Sequence, residues 1–429
     1  MAKMIQDNEN REIITGSDFK RMVQGAYSEF LLEFENINAL DRRLRPGHNS
    51  VPGTNILRTM GAAAMPLMDT LDDSLGGLAR RAASSALLGA RGNAGVVLSQ
   101  IFRGLAKGLL GKYNATSSEF GKAFQYGILY AQRVLPEEPE RPIITAAKAV
   151  AKGAYQAVRA NLPISEILTA AIAAGEGPLE HASARDVGEE IMLVFLRGCL
   201  KGLDGNFVSP SLSFSVGSKA QNPVLPDPRQ DLVRPYCLTF IVMNAKADEG
   251  EVEKHLQETC SYVMVERYQQ ELYVHLHTDH PGLVLDRSIG WGPLRDIRLN
   301  NMAEPHAMTS VHASLMPVAL LAIAENPERA EKLQNGGATM IVSGNGDENP
   351  SVGMLVNAAH SDLAASYVMV PNGSGLRLVL QQVKRILGGR VEIVPVQSAA
   401  EQLMALRGFD QKLSAKENAE RMTWLLNDK

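Results

Sequence analysis

From Ser17 to about Gly205 the apolar residues recur at three- and four-residue spacing, and Ala, Leu, Met, Lys and Arg dominate. This period fits helices and cannot be laid on strands, so it constrains the first half of the chain more than any other feature. Clear segments are Ser17–Phe34, Leu75–Leu88, Val96–Leu110, Glu119–Val134 and Ile143–Ala160. Helix starts are marked by Thr15-Gly16-Ser17-Asp18, Ser117-Ser118-Glu119 and Pro163-Ile164-Ser165-Glu166, where a side-chain oxygen can cap the first free amides. Pro- and Gly-bearing breaks fall at Arg45–Gly53 and Pro136–Pro142. Residues 1–205 therefore read as one all-α domain.

The period is lost from Asn206 to about Asp231, which holds four prolines among many Ser and Asn residues and reads as a linker over 206–231. In 232–308, Tyr236–Met243 and Glu271–His277 are runs of β-formers, with a helix candidate at Glu249–Cys260 between them, so a small middle α/β domain is expected. Over 309–429 strands and helices alternate. The strands are Val318–Ile323, Met340–Ser343, Tyr367–Val370 and Val391–Pro395. The helices are Pro327–Gln334, Ser351–His360, Gly375–Leu387, Ala399–Leu406 and Ala415–Leu426. Such alternation predicts a parallel sheet covered by helices.

A chain of 429 residues needs two to four domains. Its net charge of −4 gives no footing for nucleic acid or an anionic membrane. Three cysteines, at 199, 237 and 260, make no disulfide framework and fit a reducing cytoplasm. The segment MAKMIQDNENREI lacks the apolar core of a signal peptide, and no apolar run is long enough to span a bilayer. A cytoplasmic location is expected.

One motif carries chemistry in the helical half. Gly89-Ala90-Arg91-Gly92-Asn93-Ala94-Gly95 runs straight into the helical pattern Val96-Val97-Leu98-Ser99-Gln100. A helix N-terminus offers amides without intrahelical partners and suits phosphate. Small residues at a tight helix crossing would give the same string. GARGNAGVVLSQIFRG resembles the GARGNSGVILSQ motif of the dihydroxyacetone-kinase L-subunit family. Ile37-Asn38-Ala39-Leu40 and Gly53-Thr54-Asn55 resemble the ends of that family's INxLN…DGDTGTN segment. Tyr236-Cys237, Val274-His275-Leu276-His277-Thr278, Pro281-Gly282 and Asn301-Met302 fall in the order of its fatty acid kinase A branch.

The resemblance implies a closed barrel of eight antiparallel helices and a DegV-like C-terminal α/β domain. It implies ATP and Mg²⁺ as cofactors and a DegV-type fatty-acid-binding protein as partner, with a homodimer expected. Carried over by position, the nucleotide site would comprise Asn38, Gly53, Thr54, Asn55, Gly92, Asn93, Ala94, Gly95 and Asp186. The family's Mg²⁺-binding aspartates, however, are missing from Arg45-Pro46-Gly47-His48-Asn49-Ser50-Val51-Pro52-Gly53-Thr54-Asn55. Neutral imidazole and amide groups do not replace two anions for a hard cation. Asp41 remains as a candidate carboxylate, with Asp69, Asp72 and Asp73 farther along. The family's EGTILT appears as Arg141-Pro142-Ile143-Ile144-Thr145, its DAGG as Asp186-Val187-Gly188-Glu189-Glu190, and Ala94 stands where serine is usual.

His275 and His277 alternate along a β-forming run and so share one face of a strand. With Cys237 they form a Zn²⁺ candidate, a reading the resemblance also implies, and His280 or His306 could supply a fourth ligand. In the C-terminal domain, Ser343–Ser351, whose Asn349-Pro350-Ser351 resembles the family's NPS, and Pro371-Asn372-Gly373-Ser374-Gly375 follow strands, where open α/β sheets bind ligands or dock partners, although turn chemistry alone explains their composition. Two functions are in view: ATP-dependent phosphoryl transfer to an acyl group presented by the partner, or a pseudokinase-like nucleotide sensor or scaffold. A small-polyol kinase is a third, which the domains after residue 231 disfavour.

Overall fold

The computed structural model describes residues 13–46, 50–68, 70, 72–134, 142–177, 186–207, 236–268, 270–301, 316–344, 349–359 and 364–427. Residues 208–231 of the linker, His48, His306, Asp69 and Arg141 lie outside them. The first part holds eight helices among the described residues: α1 (Gly16–Leu44), α2 (Pro52–Met68), α3 (Leu75–Leu88), α4 (Gly92–Gly108), α5 (Ser117–Val134), α6 (Pro142–Arg159), α7 (Ile164–Glu176) and α8 (Val187–Asp204). Each packs on the next, and α8 returns against α1, so the helices close a ring. The crossing of α1 and α8 is tight because glycines meet there. A Cβ on Gly202 would stand 2.1 Å from the Arg21 carbonyl oxygen, and one on Gly25 would stand 2.4 Å from that of Gly198.

Local signals account for the helix ends. Thr15 caps α1 in a reciprocal box with Asp18, and Asp186 does the same for α8 with Glu189. Two differences from the sequence expectation have physical reasons. Helix α1 runs ten residues beyond Phe34, because nothing between Glu35 and Leu44 breaks a helix before Pro46. Helix α2 begins within what the sequence marks as the end of a loop: Pro52 sits in its first turn, where a missing N–H costs nothing, and Pro66 is carried inside it. A two-residue pairing of β1 (Ile13–Ile14) with β2 (Ala115–Thr116) is too short to leave a sequence period.

The middle domain is an antiparallel sheet in the order β4-β5-β3-β6, formed by β3 (Tyr236–Val242), β4 (Ser261–Tyr268), β5 (Glu271–Thr278) and β6 (Leu294–Asn301). One face, with Leu238, Phe240, Val242, Leu272, Val274 and Leu276, forms a core with α9 (Glu249–Gln257) and α10 (Pro281–Ser288).

The C-terminal domain has the parallel sheet its alternation predicts. Its order is β10-β9-β7-β8, from β7 (Met316–Ala324), β8 (Met340–Ser343), β9 (Ala364–Val370) and β10 (Val391–Ile393). Successive residues of β7 face opposite layers. Val318, Leu320 and Ala322 pack with α11 (Pro327–Asn335), α14 (Ala399–Leu406) and α15 (Ala415–Asn427). Ala319, Leu321 and Ile323 instead join α12 (Val352–Ala359) and α13 (Arg377–Leu387) in a core that continues without a break into the helical ring. Helix α13 lies on α4, and α12 on α3. The C-terminal domain is thus fastened to the ring by shared apolar packing, and their junction holds a cleft.

Candidate functional site

The motif that opens α4 resolves into separate jobs for its three glycines. Gly92 takes φ +59°, a left-handed conformation at no steric cost only for glycine. Gly95 lets α4 lie against Thr59, whose Oγ1 would be 2.4 Å from an added Cβ. Gly89 meets Ala62 at 2.2 Å in the same sense. Both readings of the string therefore hold, at different glycines: close packing at Gly89 and Gly95, a turned helix entry at Gly92. The Arg91 amide donates to Thr59 Oγ1 (3.1 Å), which donates in turn to the Asn55 carbonyl (2.9 Å), fixing the entry of α4 against α2.

This entry opens on a cleft of about 740 Å³ between ring and C-terminal domain. Of the sequence-derived candidates, Asp41, Asn55, Gly92, Asn93, Ala94 and Asp186 line it. Asn38, Gly53, Thr54 and Gly95 stand behind the wall. Asn38 Oδ1 accepts from the Gly53 amide (2.8 Å) and its Nδ2 donates to Thr54 Oγ1 (2.9 Å), which pins the start of α2 to α1. Their geometry suits them to holding the wall in shape.

The floor carries a carboxylate already engaged. Asp41 is buried in the last turn of α1, accepts a short hydrogen bond from Ser50 Oγ, and has Arg45 Nη1 at 3.8 Å. An Asp four residues before an Arg places both on one helix face, a spacing visible in the sequence but overshadowed there by the break at Pro46. Asp186 contributes from α8, its Oδ1 accepting from the Gly188 amide at 2.7 Å. Asp72, by contrast, is exposed and held below its ordinary pKa by its own Ser74 contacts, away from the cleft lining.

The two C-terminal loops that the sequence offers for ligands or docking stand at the other wall. The first, at Asn349, is hydrogen-bonded to the ring, and the second lines the cleft. The Asn349 amide donates to Asn55 Oδ1 (3.3 Å), and Arg91 Nη1 donates to the Asn349 carbonyl (2.6 Å). The Leu378 amide donates to Asn93 Oδ1 (3.2 Å), and the Val352 amide to the Ala90 carbonyl (3.1 Å). Gly373, Ser374, Gly375, Arg377 and Gln381 then line the cleft from the C-terminal side.

A second cluster lies on the middle sheet. Cys237 on β3 pairs in register with His277 on β5, and Thr239 with His275, so all four side chains share the face opposite the α9/α10 core. Among the described residues Cys237, His275 and His277 form the only such donor group, its ligand atoms all within 4.8 Å of one another. Thr239 Oγ1 lies 3.2 Å from His275 Nδ1 and can fix its tautomer. Tetrahedral zinc, with Zn–S near ~2.3 Å and Zn–N near ~2.0 Å, asks only for a modest contraction of this set. His280 starts α10 and stands outside it. The Cys199 thiol is a poor ligand by position: burial pushes it far up, holding it neutral inside α8.

Comparison with known proteins agrees with this architecture. Residues 52–184 match the DAK2 domain, 234–309 the fatty acid kinase A-like middle domain, and 319–428 the fatty acid kinase A-like C-terminal domain. Protein YloV of Bacillus subtilis is 25% identical over 442 residues, spanning 95% of this chain and 79% of its own. An uncharacterized protein of Staphylococcus epidermidis is 27% identical over 402 residues, covering 86% of this chain and 72% of its own. One from Staphylococcus aureus is 25% identical over 404 residues, covering 88% and 73%.

Proposed function

We propose the following for a chain that belongs to the dihydroxyacetone-kinase L-subunit family in its fatty acid kinase A-like branch: its cleft binds a nucleoside polyphosphate without the Mg²⁺-dependent phosphoryl transfer the family resemblance implies, making it a nucleotide-responsive scaffold. One observation carries the reading. The buried carboxylate on the cleft floor, Asp41, already accepts a hydrogen bond from Ser50 and lies 3.8 Å from the Arg45 guanidinium. Mg²⁺ demands oxygen ligands in near-octahedral array at about 2.0–2.1 Å, and a carboxylate so engaged is a poor start for one. The groups around it do not fit that cation. The entry of α4, with Gly92 and Asn93 on the wall, still offers amides to phosphate.

Calorimetric titration of ATP with and without Mg²⁺ tests this. Binding in the absence of Mg²⁺, with no ADP release in a coupled assay, is expected. Binding that requires Mg²⁺, together with turnover, would overturn it. A complementary test replaces His48-Asn49-Ser50 with Asp-Gly-Asp in a shortened loop. ATP turnover should rise from the wild-type level if lost ligands are the only defect.

A kinase reading keeps one specific support, because Asp41 and Asp186 line the same cleft. Under it the two would have to share a metal, and an acyl carboxylate would come from a DegV-type fatty-acid-binding partner. The middle and C-terminal domains speak against a small-polyol kinase under either reading. Cys237, His275 and His277 are the residues that would hold Zn²⁺. Bound there, the ion would cross-link β3 to β5, and its place beneath a hydrogen-bonded sheet face suits a structural ion better than a catalytic one.

A further inference from the structure

We propose that Arg45 of the ring and Arg377 of the C-terminal domain form a metal-free clamp on the phosphates of a nucleoside polyphosphate, so that ligand binding ties the two domains together; this rests on the nucleotide reading above. Both side chains line one cleft, from walls that belong to different domains. Three arginines reach that lining, and their surroundings sort them. Arg91 is buried and spends Nη1 on the Asn349 carbonyl and Nη2 on Met354 Sδ, so it serves the junction itself. Arg45 is 56% exposed, and its 3.8 Å approach to Asp41 is too long for a hydrogen bond. Its five donors are therefore not consumed by that carboxylate. Arg377 stands at the first position of α13, beside Leu378, whose amide is held by Asn93.

The charges agree with an anionic ligand. The lining sets Arg45, Arg91 and Arg377 against Asp41 and Asp186, three positive charges to two negative. The guanidinium fork matches phosphate geometry in a bidentate manner, which a chain lacking the carboxylates for Mg²⁺ can use instead. Two helix entries, at Gly92 and at Arg377, converge on the same space. A phosphate chain lying between them would touch both domains at once, adding to the apolar seam and to the hydrogen bonds of Asn349, Val352 and Leu378.

The test uses the full chain in EDTA, with ATP and, separately, inorganic tripolyphosphate as probes in calorimetry. Arg45→Ala and Arg377→Ala should each weaken binding about tenfold, the scale of one charge-assisted hydrogen bond. Arg42→Ala, one turn earlier and outside the cleft lining, should leave it unchanged. Amide exchange in α12 and α13 should slow on ligand addition in wild type and not in Arg377→Ala. Wild-type affinity in both variants, or binding only with Mg²⁺, overturns the clamp while leaving nucleotide binding in place. Tripolyphosphate binding that depends on both arginines, with no preference for ATP, keeps the clamp and removes the nucleotide reading. No binding of either probe overturns both.

Discussion

Arg91 offers the sharpest perturbation of the junction between ring and C-terminal domain. It is 1% exposed, the largest of the fully buried side chains among the described residues, and its guanidinium donates to the Asn349 carbonyl at 2.6 Å. Arg91→Met keeps an apolar stem against Met354 and removes the hydrogen bond. A hydrogen bond to a charged group is worth about 1.5–3 kcal/mol, and releasing the guanidinium from its buried site returns part of that. A net loss of about 2 kcal/mol is expected. Arg91→Ala adds a cavity in a closely packed seam, which raises the loss to about 4 kcal/mol. The loss belongs to the docking of α12, so hydrogen exchange followed by mass spectrometry reads it locally. For Arg91→Met, the amides of residues 352–359 should exchange roughly thirtyfold faster, since about 1.4 kcal/mol is a factor of ten. Helix α6, remote from the junction, serves as reference. Unchanged exchange in α12 in the alanine variant refutes this role for Arg91. Equal acceleration in α6 and α12 shows that the residue supports the whole fold instead.

Three further outcomes are expected. Gly202→Ala should lower the melting temperature of the helical domain by about 3–6 °C, because a methyl group 2.1 Å from the Arg21 carbonyl costs more, at about 1–3 kcal/mol, than helix propensity returns; an unchanged or raised midpoint would show that the α1/α8 crossing has slack. Elemental analysis of purified protein should find zinc near one equivalent, lost in a His275→Ala, His277→Ala double variant, and zinc-free wild type sinks the middle-domain site. Glu119, held down to about 2 by Lys112 and the Thr116 amide, has a folded pKa below its ordinary 4.5. Its stabilising contribution is therefore full above about pH 4.5 and lost as pH falls through about 2. The melting gap between wild type and Glu119→Gln should close over that window, and a gap independent of pH contradicts the assignment.

Local patterns wrote most of the fold into the sequence. Ala399–Leu406 and Met340–Ser343 have the bounds that periodicity predicts, since apolar alternation and capping act within a few residues. Helix α2 is harder, because Pro52 and Gly53 signal a loop and a helix start equally well, and only packing against α1 decides. The cleft is half legible. Asn93 and Asp186 sit in recognisable motifs, and Cys237, His275 and His277 share a face by strand register alone. Arg377 and Asn349 carry no local sign of where they go. The Asn93 side chain holds the amide next to Arg377 across 285 residues of sequence, and Arg91 reaches Asn349 across 258. Only the apolar faces of α12 and α13 bring these positions together. Arg45 is concealed because the break at Pro46 masks its spacing to Asp41.

The core shared by the ring and the inner face of the parallel sheet bears on how the chain is made. Leu378, Val379, Leu380 and Val383 are buried in the same cluster as Val96, Val97 and Ile101. A ribosome delivers α4 first, and the helix that covers it emerges some 285 residues later. At about 5–20 residues per second that interval is roughly 15–60 s, during which the helical half carries an uncovered apolar stripe. The sequence boundary near residue 309 therefore marks a change in texture and not a seam along which the protein would separate cleanly. Shortened versions ending before α13 should be aggregation-prone, and nascent chains of that length are the form of this protein most in need of a chaperone.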